Sequence, residues 1–302
     1  MAQAASLPDA AAIAAIVVTY RTGPVLFDCL DALAGDAAIT HVVVVDNGNP
    51  PDVESALRDR AAAWPKAKLL TGHGNVGFAR GCNLGAAAAP GAAHLLFVNP
   101  DLVLDVGAAA ALAGTAARGP QPCVAGGRLL DDAGREQRGA RRDVVTPWSA
   151  FVAFSGLTRL ERFGPVFRSP YRERDPPPPG PIRVGAVSGA LMCLTRAGFE
   201  ALGGFDEGYF LHLEDMDLCR RAAEAGGAVW FDPRACGRHR GATSDAPAAV
   251  VERHKAAGYA RYFRKFARGP WDKLQAEAMA LALPWILTAP WSLRRRAAMR
   301  RP

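Results

Sequence analysis

An α/β fold with a mostly parallel, helix-flanked sheet follows from two observations. Short, almost wholly apolar runs rich in valine and isoleucine occur at residues 13–20, 41–46 and 94–98, the composition of strands buried on both faces. Stretches of helical periodicity lie between them, and strand and helix alternating at this spacing imply crossover units and parallel pairing. With 302 residues, 50% of them hydrophobic, the chain can bury a substantial core in one large or two small domains.

The first strand, residues 13–20, is closed by Thr22-Gly-Pro24, after which Pro24 opens a helix with Leu26, Leu30 and Leu33 on one face. The second strand stops at Asp46-Asn-Gly-Asn-Pro50, and a helix over residues 52–64 and a short strand over 68–71 follow. Gly74-Asn-Val-Gly-Phe-Ala-Arg-Gly-Cys-Asn-Leu-Gly85 then runs into an alanine-rich helix that ends near Pro90. The strand at 94–104 is broken by Asn99-Pro-Asp101, because proline cannot donate to a ladder. Two polar side chains are thereby placed at the carboxyl edge of the sheet, where ligands bind in open α/β folds. Beyond a helix around 106–117 the pattern weakens, and residues 131–181, rich in Arg, Asp and Pro, read as a long, partly mobile excursion. Strands return at 182–187 and 190–195. A helix over 196–202, an acidic helix start at Glu214, a short strand over 228–231 and basic helices complete the chain.

The net charge of +7 is unevenly placed: residues 253–302 hold twelve Lys/Arg against two acids. Interleaved with Trp271, Leu281, Leu283, Trp285, Ile286, Leu287 and Trp291, that basicity suits an anionic membrane surface and not nucleic acid. The longest uncharged run there, 278–293, falls short of the roughly 20 residues that span a bilayer. Interfacial insertion and a helix docked on the domain are the two readings. Residues 1–245 and 246–302 thus form a domain and a basic amphipathic helical extension. Six cysteines without a Cys-x-x-Cys pair argue against a zinc ribbon or disulfide framework and fit a reduced, cytosolic setting. The first twelve residues lack a basic segment, so neither a signal peptide nor an N-terminal anchor is expected.

Several polar clusters carry candidate chemistry. Asp46, after four valines, is either an Asx-turn residue or an acceptor for the ring N–H of uracil or thymine or for a ribose hydroxyl. The glycine-rich stretch has the wrong spacing and position for a dinucleotide fingerprint. Gly77, Gly81 and Gly85, four apart, permit close helix packing, while Asn75, Arg80 and Asn83 add donors. Asn99-Pro-Asp101 makes a turn, or Asp101 binds a hard cation that also holds two phosphates. His239 is a surface histidine, or an imidazole ligand that tilts such a site toward Mn²⁺. Glu214, Asp215 and Asp217 suit the positive end of a helix dipole, or supply a base.

Together these pieces resemble the inverting family 2 glycosyltransferases of the GT-A fold, and most of all their bacterial rhamnosyltransferase-like branch. The matching segments are Val17-Val-Thr-Tyr20, Val44-Val-Asp-Asn47, Asn75 to Gly85, Asn99-Pro-Asp101, Gly189-Ala-Leu-Met192, Gly203-Gly-Phe-Asp-Glu207, Glu214-Asp-Met-Asp-Leu218 and His239-Arg-Gly-Ala-Thr-Ser244. They occur in the family's order over residues 13–245 of a Rossmann-like domain.

The resemblance implies that Thr19, Tyr20, Asp46, Asn47, Asn75, Gly77, Arg80, Asn83 and Asn99 line the nucleotide-sugar side. Asp101 stands last in the family's Asp-x-Asp metal motif, whose first acid is here Asn99, and His239 is a further ligand for Mg²⁺ or Mn²⁺. Asp215 matches the catalytic base, Glu214 and Gly189 face the acceptor, and Asp217 serves capping or a bond to Arg220 or Arg221. A dTDP- or UDP-sugar donor, a glycan or polyprenyl-linked acceptor and a cytoplasmic enzyme peripheral to the inner face of the plasma membrane are expected, with cell-surface polysaccharide synthesis as the setting. The competing functions are a nucleotidyltransferase, which would want a basic phosphate loop that residues 20–24 do not supply, and an inactive sugar-nucleotide-binding module.

Overall fold

A computed structural model describes residues 12–241 and 247–288. The N-terminal half alternates as expected: β1 (Ile13–Thr19), α1 (Val25–Gly35), β2 (Ile39–Asp46), α2 (Pro51–Ala63), β3 (Ala67–Leu70), α3 (Phe78–Ala87), β4 (His94–Val98), β5 (Leu102–Leu104) and α4 (Ala108–Arg118). It continues with β6 (Cys123–Leu130), β7 (Arg141–Arg142), α5 (Pro147–Ser155) and two short 3₁₀ segments at Leu157–Phe163 and Pro165–Phe167. Then come β8 (Ile182–Arg183), β9 (Ala186–Val187), β10 (Leu191–Thr195), α6 (Arg196–Ala201), α7 (Glu214–Glu224), β11 (Ala228–His239), α8 (Ala248–Phe266) and α9 (Pro270–Thr288).

The main sheet runs β3-β2-β1-β4-β10-β6-β11-β5, with β8 on β11. Its first four strands are parallel, so Thr19, Asp46 and Asn99 reach the same edge. β10 runs against β4, with Leu191 opposite Val98, so its leading residues enter at that edge too. β5 pairs antiparallel with β11 and sets His239 opposite Leu102, one residue beyond Asp101. β1, β4 and β10 are almost wholly buried, which is why the runs lack polar alternation. The α3 glycines act as spacers: a Cβ on Gly85 would lie 2.4 Å from Ile16 Cγ2, and one on Gly81 2.8 Å from Val18 Cγ1.

Three expectations are corrected. β6, buried and central, went unread because Val124, Gly126, Gly127 and Arg128 show neither strand alternation nor an unbroken apolar run. β11 extends twelve residues, well past Phe231, through a bulge between Asp232 and Cys236. The 131–181 excursion, read as irregular, contains β7, α5 and the two 3₁₀ segments. Arg141, 2% exposed, bonds Glu136 Oε1 at 2.6 Å and the Asp175 carbonyl at 2.7 Å, so charges that read as solvated are spent on internal pairs.

The extension is docked. α9 packs on α5 and α8 through Ala276, Met279, Leu283 and Leu287. Trp291, Arg294 to Arg296, residues 1–11 and the Ala242 to Ser244 part of the His239 motif lie outside the described residues. All six cysteines are free.

The α3–β1 contact leaves no room for a branched side chain. Gly85→Val is expected to lower stability by about 1–3 kcal/mol through overpacking, whereas Gly91→Ala, with open space around it, changes it by less than about 0.5 kcal/mol. Urea denaturation of both variants checks this, and equal stabilities would contradict the packing account.

Candidate active site

The sheet edge collects four acids and their supports. Asp46, 2% exposed, accepts through Oδ1 from the backbone N–H of Gly48 (2.9 Å) and Asn49 (2.8 Å) and from Asn49 Nδ2 (2.8 Å). That is the Asx-turn chemistry. Its other oxygen, Oδ2, is buried with no protein partner, an arrangement that a native site satisfies with a ligand or water. Asp46 therefore commits one oxygen to the turn and leaves the other without a protein partner.

Thr19 is fully buried. Its hydroxyl meets Thr22 Oγ1 at 3.0 Å and Asn49 Nδ2 at 3.2 Å, so it steadies Asn49 and through it Asp46. Tyr20 is half-buried beside Gly48. Asn47 donates to the Gly77 carbonyl at 3.0 Å and meets His73 Nε2 at 3.1 Å. Asn75 accepts from the Gly77 N–H at 3.1 Å. Gly77 has φ +85°, and a Cβ there would sit 2.7 Å from the Phe210 carbonyl oxygen, so only glycine fits. Arg80 is exposed, 3.8 Å from Glu207. Asn83 clasps the 203–207 loop, donating to the Phe205 carbonyl and accepting from the Phe205 N–H, both at 2.9 Å.

At the neighbouring strand ends, Asp101 Oδ1 and His239 Nε2 are 3.2 Å apart. His239 Nδ1 lies 2.7 Å from Gln137 Oε1, and the Gln137 amide donates to the His239 carbonyl. That network assigns a hydrogen to Nδ1 and turns Nε2 toward the carboxylate. Asn99 Nδ2 also meets Nε2, at 3.2 Å. An imidazole nitrogen and a carboxylate oxygen converging in this way suit a shared divalent cation, with the outer imidazole nitrogen held by a second partner. Among the described residues no group of three or more His, Cys, Asp or Glu could hold a metal, so two protein ligands would leave the remaining positions to phosphate oxygens and water.

The second half forms at the start of α7. His212 and Leu213 carry φ +70° and +76°, costly for residues with side chains. α8 crosses just above them: a Cβ on Gly258 would lie 2.8 Å from the His212 carbonyl oxygen. The three acids then diverge in role. Asp217, fully buried, is bound by Arg221 Nε at 2.5 Å, Lys265 Nζ at 2.6 Å and Tyr209 OH at 3.2 Å, which gives it the structural part expected of it. Asp215 Oδ2 accepts from Arg142 Nη2 at 2.5 Å and from the Gly189 N–H at 3.1 Å, and Oδ1 accepts from the Met216 N–H at 2.7 Å. Glu214, 6% exposed, has Oε2 buried without a partner. Burial, and then the Asp215 charge, push its carboxyl up to about 8.

The halves meet through β10. Asn99 N–H donates to the Ala190 carbonyl at 2.9 Å, and the preceding residue, Gly189, donates to Asp215. Sequence reading missed Asn49, Gln137 and Arg142. Asn49 was visible in the Asp46 turn, whereas nothing distinguishes Gln137 or Arg142 from the other polar residues of a region without a periodic pattern.

Comparison with known proteins identifies the family and the fold. The curated relatives include the N-acetylglucosaminyl-diphospho-decaprenol L-rhamnosyltransferase of Mycobacterium tuberculosis (strain H37Rv), 28% identical over 267 residues, 81% of each chain. Rhamnosyltransferase WbbL of Escherichia coli (strain K12) matches over 46 residues at 39% identity, 15% of this chain and 17% of that one. Among solved structures, the mannosyltransferase PcManGT from Pyrobaculum calidifontis, in complex with GDP-Man and Mn2+, superposes with a TM-score of 0.56 at 19% identity over 95% of this chain and 75% of its own. GalNAc-T7 with UDP, GalNAc and Mn2+ superposes with a TM-score of 0.58 at 15% identity over 89% of this chain, which spans 55% of that longer one. These place the fold as GT-A. The family model "Glycosyl transferase family 2" matches residues 14–181, more than half of the chain, and the protein is therefore a family 2 glycosyltransferase.

Proposed function

We propose that this glycosyltransferase is an inverting, cation-assisted enzyme that moves a sugar, rhamnose by analogy with its relatives, from a dTDP- or UDP-sugar to a lipid-linked glycan in cell-surface polysaccharide synthesis. The observation that carries the reading is that one strand pair, β4 with β10, joins the Asp101–His239 pair to Asp215 across a single sheet edge. The mycobacterial relative is named for a sugar acceptor on diphospho-decaprenol, and a lipid-linked acceptor is inferred from it.

On the donor side, Asp46 Oδ2 accepts from the base or ribose. Asp101 and His239 would hold Mg²⁺ or Mn²⁺, which when bound neutralises charge growing on the departing diphosphate. On the acceptor side, Asp215 takes the proton of the acceptor hydroxyl as its oxygen attacks the anomeric carbon opposite the leaving group. The new C–O bond forms as the bond to the diphosphate oxygen breaks, which inverts the centre. A carboxylate is a modest base, so position matters more than strength. Arg142, the Gly189 N–H and the Met216 N–H supply that position and leave Oδ1 able to accept once more. Glu214, neutral over much of the physiological range, can donate to an acceptor hydroxyl.

The extension supports a membrane partner. The outward face of α9 exposes Trp271 (68%), Leu274 (59%), Leu281 (73%) and Trp285 (80%), spaced as one helical stripe. Among the described residues no helix is long and apolar enough to cross a membrane. An apolar stripe with aromatic ends in a strongly basic segment suits the interface of an anionic bilayer, and we place the enzyme there, on the cytoplasmic face.

Three outcomes test this reading. Asp215→Asn is expected to cut transfer roughly 10²–10⁴-fold while UDP or dTDP binding in Mn²⁺, measured by calorimetry, stays within twofold; Asp101→Asn, His239→Ala or chelation weakens that binding instead. Turnover near wild type in Asp215→Asn removes the residue from its role. For Glu214, the folded pKa lies above the unfolded value of 4.5, so the native state holds the extra proton and stability falls as pH rises from about 4.5 to about 8, then levels. The stability gap between Glu214→Gln and wild type, from denaturation at each pH, should widen in the variant's favour over that window; a gap independent of pH argues against a protonated Glu214. For the membrane surface, a Trp271→Ser/Trp285→Ser variant should lose sedimentation with vesicles containing anionic lipid, and undiminished sedimentation would rule α9 out as the contact.

A further inference from the structure

Beside the base lies a group of cations of which the transfer step uses only one arm of Arg142. Arg142 reaches Asp215 Oδ2 and the Val187 carbonyl through Nη2, but its Nε is buried with no partner, although the residue is only 9% exposed. An orphaned guanidinium N–H in a buried site calls for an acceptor. The surroundings say what kind. Tyr171, from the excursion, meets the Tyr259 hydroxyl of α8 at 3.2 Å, and the exposed Arg138 guanidinium lies 4.1 Å over the Tyr171 ring. Burial alone would raise the Tyr171 phenol, but Lys255, Arg138, the hydrogen bond from Tyr259 and Arg142 outweigh it and hold it below its ordinary value. Arg138 stacks on Tyr171, Lys255 of α8 lies 5.6 Å over the Phe154 ring that itself packs on Tyr259, and Arg142 completes the group beside Asp215. His212, facing the same cluster, is held down to about 4 by burial, with Lys255 opposing its charge next, so it adds no cation of its own near neutral pH. The acids bearing on His212 are Glu252 and Asp215, the latter already paired with Arg142.

We propose that Arg138, Arg142 and Lys255, set about the Tyr171–Tyr259 contact beside Asp215, form a subsite for the phosphate or diphosphate of the acceptor. This rests on Asp215 marking the acceptor side. A sugar carried on a diphosphate presents its anionic group about one ring's width from the hydroxyl that attacks, and Arg142 touches the base through Nη2 while its Nε–H has no partner. Two guanidinium forks and an ammonium are suited to phosphate oxygens. A neutral glycan hydroxyl would also accept from the Arg142 Nε–H, but it brings no charge to set against Arg138 and Lys255. The diphosphate of the donor belongs to the Asp101–His239 side, so the two anions of the reaction occupy different ends of the site.

The experiment follows inorganic pyrophosphate binding to the full chain by ³¹P NMR titration in EDTA, where cation-assisted binding on the donor side is suppressed, and UDP binding in Mn²⁺ separately. Because removing Arg142 strands a buried carboxylate, the accessible pair carries the test. Arg138→Gln/Lys255→Gln is expected to weaken pyrophosphate binding roughly tenfold or more, from the loss of two charge-assisted contacts, with UDP affinity within twofold of wild type and an unchanged thermal unfolding midpoint. Asp101→Asn should give the converse, weaker UDP binding with pyrophosphate unaffected. Pyrophosphate binding that is absent in the wild type, insensitive to the double variant, or lost in Asp101→Asn instead overturns the subsite. Wild-type failure to bind UDP with intact, variant-sensitive pyrophosphate binding would instead sink the donor-side assignment and leave the anion site standing.

Discussion

The buried ion pair between Arg142 and Asp215 is the interaction on which the candidate site depends. It joins three parts of the chain: β7 in the excursion, the turn entering β10, and the first turn of α7. A buried pair is tolerable only when its remaining polar atoms are satisfied. Here the Val187 carbonyl and the Gly189 and Met216 N–H groups do most of that work. Losing either partner would strand a charge in a site from which water is largely excluded, so the shape of the excursion and the aim of Asp215 are not independent.

The same coupling explains why the C-terminal helices are part of the catalytic body. Two consecutive residues in the left-handed region, His212 and Leu213, set the start of α7, and such strain persists only when the surroundings over-determine it. α8 does so from above. Its Gly258 rests on the His212 carbonyl, while Arg261 and Lys265 reach down to Asp206, at 2.8 and 2.7 Å, ahead of the strained pair. Lys265 also ends on Asp217. α9 in turn packs on α8 and α5, so a contact on its outer face lies on a helix that braces both the excursion and, through α8, the start of α7.

Strand direction unifies the two halves of the site. In the parallel block, only carboxyl ends reach the ligand edge. The reversal at β10 brings an amino end there, and with it Gly189, while the antiparallel pairing of β5 with β11 sets His239 beside Asp101. Residues separated by more than a hundred positions therefore meet without any long loop.

Much of this was legible in the residues. Apolar runs without alternation identify buried strands, and polar breaks such as Asp46-Asn-Gly-Asn-Pro50 and Asn99-Pro-Asp101 locate the edge, because both signals are local. The division of labour at Glu214, Asp215 and Asp217 was half visible: a helix places the third acid on another face, but which bases meet it depends on α8. β6, the upper part of β11 and the excursion were not legible, since their glycines, arginines and prolines follow no period and their pairing is decided by neighbours far along the chain. By itself, then, the sequence determined the parallel α/β framework and the polar residues at its edge, because strand burial and turn chemistry are written in adjacent side chains. Only the tertiary structure decided that Gln137 orients His239, that Asp46 keeps one oxygen free, and that Arg142 among many arginines holds Asp215, because each of those depends on pairing across the sheet between segments with no local signature.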